Sequence, residues 1–183
     1  MMTDHVGDSG AKAQKHVGFE SWYRMARPKV ATSLALTIGD RDLAADVADE
    51  AFVRVLQRWN RVSDFEHLTA YVYRVAFNLA RRRLRRRAVA DRLLPLVARA
   101  ERDAPTDELW MVVSGLSERR RTAVVLRHVA QLSEPEIAEA MGVTRGTVSR
   151  SLRAAYDQLR PDTEASNCNL AVALTKEVHD DRA

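Results

Sequence analysis

SEPEIAEAMGVTRGTVSRSLRAAYDQL, residues 133–159, is the stretch whose reading decides the fold. Ser133 followed three residues later by Glu136 is a capping box, and Pro135 is tolerated inside a first helical turn, so a helix starts here and runs to about Met141. Gly142-Val143 makes a turn. Thr144 can cap the next helix, whose apolar positions Val148, Leu152, Ala155, Tyr156 and Leu159 form one stripe while Ser149, Arg150 and Arg153 face outward. Two short helices joined this way make a helix-turn-helix.

Working outward, the chain reads as helical almost throughout. It has 183 residues, 46% of them hydrophobic, with only 7 glycines and 5 prolines, so helix formers outnumber turn formers. An all-α protein of two small helical domains follows. Residues 1–17 lack periodicity and read as a mobile leader. A first helical block covers 18–87, a charged linker with Pro95 and Pro105 covers 88–105, a second block covers 106–160, and a polar tail covers 161–183, in which Asn169 to Val178 is a weak helix candidate. Turn signals at Gly39-Asp40 and Ser63-Asp64 divide the first block into three helices. On the middle one, Val47, Ala48, Ala51, Phe52, Val55 and Trp59 fall on one arc, with Asp42, Asp46, Asp49 and Glu50 opposite. On the third, Leu68, Val72, Val75 and Leu79 give a buried stripe beside Tyr71, Arg74, Asn78, Arg81 and Arg85.

Composition excludes several classes. The single cysteine, Cys168, permits no internal disulfide, and the five histidines show no metal-ligand spacing, so no metal or cofactor is expected. No apolar run approaches the length of a membrane span and no signal peptide is visible, which predicts a cytoplasmic protein without membrane insertion. There are no paired carboxylates in a plausible cleft, no nucleophile beside a base and no phosphate-binding glycine loop, so the chain does not read as an enzyme.

Net charge is +4 with a pI near 9.6, and arginine supplies nearly all of the cations. Nucleic acid is the partner the cations suggest. A helix-turn-helix presents the outward side chains of its second helix to the major groove, here Arg145, Thr147, Ser149, Arg150 and Arg153. Arginine can bond guanine through two hydrogen bonds, and serine can serve a base or a phosphate. The run RRRLRRR, residues 81–87, places six cations in two turns, where mutual repulsion calls for an anion. A phosphate backbone fits, through Arg81, Arg82 and Arg85, and a solvated helix end is the bland alternative. Tyr71 shares a face with Arg74 and Asn78, where an unstacked base could rest on a ring and be read by hydrogen bonds. The acidic face of the middle helix should repel DNA, and either solvent or a basic protein partner accounts for it.

Three blocks in series, GDRDLAADVADEAFVRVLQRW at 39–59, AYVYRVAFNLARRRLRRR at 70–87 and the stretch from Leu116 to Arg160, resemble those of extracytoplasmic-function sigma factors, from about Phe19 to Arg160. The resemblance implies a non-enzymatic factor that directs core RNA polymerase to promoters, with region 2 in the first block and region 4 in the second. It implies that Asp46, Asp49, Glu50 and Phe52 or its neighbours dock on the clamp helices of the largest polymerase subunit. By the same resemblance Tyr71, Arg74 and Asn78, with the loop from Arg61 to Leu68, take the minus-ten element and a flipped base, and α-helical residues Ser149, Arg150 and Arg153 read the minus-thirty-five element. Asp49 stands where the family often has glutamine, Tyr71 where it often has tryptophan, and TVSRSLRAA places its first arginine one position later than the common TVKSRLHRA. Whether an anti-sigma factor is also a partner is left open by the sequence, and an operator-binding dimer that never enters polymerase is the competing reading.

Overall fold

Asp40 shows how the first corner is made. Its backbone is extended and its carboxylate accepts from the Leu43 N–H at 2.7 Å, capping a helix that starts at Arg41. Just before it, Gly39 takes φ +73° and donates to the Ala35 carbonyl at 2.8 Å, closing the preceding helix with the left-handed residue that glycine adopts without strain. The computed structural model describes residues 7–93 and 108–160, with side chains from residue 18 to 89 in the first stretch. Its helices are α1 (Gly7–Ile38), α2 (Arg41–Leu56), α3 (Trp59–Val62), α4 (Leu68–Leu93), α5 (Glu108–Ser114), α6 (Glu118–His128), α7 (Glu134–Met141) and α8 (Arg145–Leu159).

The described residues are all helix and connecting turn, in two helical units as the sequence predicts. Three details differ. Helix α1 begins at Gly7, so much of the expected leader continues it. Before the Ser63-Asp64 turn the chain adds the single-turn α3. Helix α4 runs to Leu93, into the expected linker, because Ala88, Val89 and Ala90 carry no helix breaker. The rest of that linker, residues 94–105, the first two residues of the second block, and the tail with Cys168 and its weak helix lie outside the described residues.

Rings knit the first unit. Phe19, Trp22 and Tyr23 of α1 meet Phe52 and Trp59 at centroid separations of 5.0–5.5 Å. Deeper in, the buried Tyr73 of α4 donates its hydroxyl to the Lys29 carbonyl at 3.1 Å and meets Ser33 Oγ at 3.0 Å, tying α4 to α1. Burial pushes the Tyr73 phenol up despite the Ser33 bond, so it stays protonated.

In the second unit the capping box is complete: Glu136 accepts from the Ser133 N–H at 2.8 Å and from its hydroxyl at 2.6 Å. Gly142 ends α7 at φ +67°, and Thr144 accepts from the Thr147 N–H at 3.3 Å to start α8. Val148, Leu152 and Ala155 bury as expected, while Tyr156 turns to the edge, its hydroxyl 2.9 Å from His128 Nε2.

The units pack on each other. Helix α7 lies along α4, α5 and α6 meet α1, and one continuous apolar core runs through both. At the α1–α2 corner the Trp110 ring presses so closely on Gly39 that a Cβ there would fall 2.7 Å from the indole. His67 Nδ1 and Glu136 Oε1 approach to 3.7 Å across the same boundary.

Candidate nucleic-acid interface

Helix α4 sorts its arginines by face. Arg83 reaches back to α2, with Nη2 2.6 Å from Glu50 Oε2 and Nη1 3.5 Å from Asp46 Oδ2, and Arg87 Nη1 lies 2.7 Å from the buried Asp40 carboxylate. Those two sit four residues apart and share one side of the helix. The anion that relieves part of the run is therefore the chain's own α2. Arg81, Arg82 and Arg85 stand exposed on the remaining surface with Arg74 and Asn78, one ridge along α4.

At the start of that ridge Tyr71 is half-buried. Its hydroxyl accepts from Arg58 Nη1 at 3.4 Å, and the Phe65 ring meets it edge-on at 5.5 Å. Phe65 is 46% exposed, unlike Tyr73 and Phe77, which are core. Arg58 was missed by the sequence reasoning, and Phe65 entered it only as part of the loop from Arg61 to Leu68. The signal for Phe65 was its place in the Ser63-Asp64 loop, where no helical stripe exists to bury it.

The acidic face is only partly free. Asp49 forms a two-pronged pair with Arg27 at 2.9 and 3.0 Å, which raises the Arg27 pKa, chiefly through the hydrogen bond itself. Burial pushes the Glu50 carboxyl up, but Arg83 and Arg54 together outweigh it and hold the group below the usual carboxylate range. Of Asp46, Asp49 and Glu50, Asp46 is the most open, with 72% of its side chain exposed. Phe52 must be corrected: it is 1% exposed, packed between Trp22 and Tyr23, and no partner can touch it. Its neighbours on the outer side, Val53 and Leu56, are the exposed apolar residues of α2. Helical arithmetic had the clue, since they follow Asp49 by four and seven positions.

On α8, Arg145 and Arg153 are exposed, Arg145 lying 3.6 Å from Glu134, and Ser149 and Thr147 are half-buried between them. Arg150 donates through Nε to the Gly146 carbonyl at 3.3 Å. The structure thus gathers the predicted α8 residues at one end of the helix and the predicted α4 residues on one ridge.

Sigma-70 region 2 matches residues 19–89 and sigma-70 region 4 matches residues 106–159. The RNA polymerase sigma-E factor of Streptomyces avermitilis is 30% identical over 165 residues, covering 87% of this chain and 92% of that protein. The chain belongs to the extracytoplasmic-function sigma factors. This sigma factor is similar as well to the sigma-E factor of Streptomyces coelicolor, at 29% identity over 87% of this chain and 93% of that one, and to SigW of Bacillus subtilis, at 25% over 67% and 76%. The sigma factor RpoE of Bartonella quintana, solved in complex with the anti-sigma factor NepR, shares the fold with a TM-score of 0.64 at 17% identity, over 78% of this chain and 94% of that one. As a sigma factor the chain is a non-enzymatic protein that binds core RNA polymerase and directs promoter-specific transcription initiation. No helix among the described residues is long and apolar enough to cross a membrane.

Proposed function

We propose that residues 18–87 act as region 2, docking polymerase through α2 and opening the minus-ten element along α4, while residues 106–160 act as region 4 and read the minus-thirty-five element through α8. The sorting of the α4 arginines supports this reading best: Arg83 and Arg87 are held by α2, so Arg81, Arg82 and Arg85 with Tyr71, Arg74 and Asn78 form a ridge turned away from the carboxylates that would repel DNA. Melting costs a few kcal/mol for each unstacked base. Stacking on a ring returns about 1–3 kcal/mol per base, and the half-buried Tyr71 beside the exposed Phe65, with Arg58 on its hydroxyl, offers such a platform.

The docking surface on polymerase comprises Asp46, Asp49 and Glu50, with Val53 and Leu56 in place of Phe52. Arg145, Thr147, Ser149, Arg150 and Arg153 contact the upstream element. The factor works in the cytoplasm, and an anti-sigma factor is its regulatory partner, as NepR is for the Bartonella protein.

Run-off transcription with core polymerase tests the assignment. Val53→Glu should reduce polymerase association and initiation while promoter fragments still bind the free chain. Equal loss of both would point to misfolding, and loss of neither would remove this face of α2 from the docking surface.

A further inference from the structure

Helices α4, α6 and α8 border a cavity of about 1080 Å³, comparable to the largest of the roughly 300–1,000 Å³ pockets that enclose small ligands. Its lining carries five guanidinium groups, Arg81 of α4, Arg119, Arg120 and Arg121 of α6 and Arg150 of α8, and a single carboxylate, Glu118. None of the five forms an ion pair among the described residues. What they bond is neutral: Arg120 donates to Gln158 Oε1 at 2.9 Å, Arg121 to the Leu116 carbonyl at 3.2 Å and Arg150 to the Gly146 carbonyl at 3.3 Å. Farther along α4 the contrast is direct, since Arg83 and Arg87 are answered by carboxylates of α2. Cations gathered without counter-charge repel one another, and more strongly where protein displaces water. Arg121 feels the loss of water: burial lowers its pKa, and Glu118 offsets that only in part.

We infer that this cavity binds a compact oligophosphate, free or carried on a nucleoside, through Arg81, Arg119, Arg120 and Arg150. Guanidinium suits phosphate because its planar fork makes two parallel charge-assisted bonds. One phosphate group, at about −1.5 to −2, balances only half of the surplus that five cations hold over one carboxylate, so the ligand carries more than one. The start of α6 adds to the site. Ser117, its N-cap, lines the cavity and makes no side-chain capping bond, and the first N–H groups of a helix have no acceptor within it. Ile38, Leu84 and Met141 supply apolar lining on which a nucleoside could rest. A long DNA backbone is served by cations in line on an open ridge, whereas cations from three helices around one cavity suit a compact anion. The inference stands on charge and cavity and does not rest on the promoter contacts proposed above.

Isothermal titration of the full chain with tripolyphosphate, at fixed ionic strength and without divalent metal, tests the site. One molecule should bind per chain, and sulfate under the same conditions should bind far more weakly. Arg119→Gln combined with Arg120→Gln should weaken tripolyphosphate by about tenfold or more. Arg24→Gln combined with Arg86→Gln removes the same charge from exposed positions outside the lining and should leave the affinity within about twofold. Equal loss in the two pairs, or sulfate binding as tightly as tripolyphosphate, would reduce the effect to net charge and overturn the site. ATP in place of tripolyphosphate separates the two sources: markedly tighter binding identifies a nucleoside-borne ligand, and equal or weaker binding a free one. Binding of neither ends the proposal, and if the α6 pair then loses affinity for a promoter fragment, these cations belong to DNA. Urea midpoints of both double variants should match the parent chain, and the comparison of tripolyphosphate with sulfate on that parent judges the site whatever the variants do.

Discussion

Single residues carry the sharpest expectations. Tyr73→Phe removes a buried hydroxyl that donates to Lys29 and meets Ser33, so urea unfolding should show a loss of about 1–2 kcal/mol with an unchanged m-value. His128 is held below its ordinary 6.5 by burial and then by Arg127. The folded chain resists a proton that the unfolded chain accepts, so stability present above pH 6.5 should decline as the pH falls from there toward the lower folded value. Urea midpoints at pH 7 and pH 5.5 measure that decline, and His128→Gln should shrink the difference between them. Neither residue was singled out in the sequence. A tyrosine in a helical stripe reads as core whatever its hydroxyl does, and a lone histidine gives no hint of the tyrosine 28 positions away that it meets.

Whole helices were more legible. The caps at Ser133 and Thr144 and the glycine turns at 39 and 142 are local, so sequence placed α7, the start of α8 and the start of α2 within a residue or two, whereas the middle helix, expected to run to the Ser63-Asp64 turn, ends at Leu56. What sequence could not supply was pairing between helices, such as the reach of Arg83 and Arg87 back to the carboxylates of Glu50 and Asp40. Phe52 falls on the apolar arc of α2 by its helical position, and only the resemblance set it or its neighbours among the polymerase contacts; α1 brings Trp22 and Tyr23 over it. Element-level tests follow from the same pairings. Asp40→Ala removes both the α2 cap and the Arg87 partner and should cost about 1–2 kcal/mol, whereas Asp40→Asn keeps the cap and should cost less, because half-exposed Arg87 makes a weak ion pair. Replacing Arg81 and Arg82 together by alanine should lower the slope of log affinity against log salt for a promoter fragment by about 2, with no loss of fold by circular dichroism.

At the scale of the molecule, the sequence revealed two units and a connection but not their mutual seat, since contacts between distant segments leave no periodic trace. Helix α4 ends at Leu93 and α5 begins at Glu108, and the chain between them can span at most about 50 Å when fully extended. That length, with the widths of the units added, is of the order of a promoter spacer of roughly 17 base pairs, about 58 Å at 3.4 Å each. The two left-handed glycines provide an internal control. Gly142→Ala meets open space and should lose only the backbone term, about 1–2 kcal/mol, while Gly39→Ala adds the collision with Trp110 and should lose more. Combining it with Trp110→Ala should return the excess, a coupling within the usual 0.5–3 kcal/mol for touching residues, read by a double-mutant cycle in urea. The indole resting on Gly39 also leaves a heritable signature. Lineages that keep this seat must hold glycine at the first corner whenever they hold a large ring at the start of region 4, whereas those that lose the ring keep only the weaker demand of the left-handed backbone, which asparagine can also meet, so position 39, 71 before the ring, should vary only where the ring is gone.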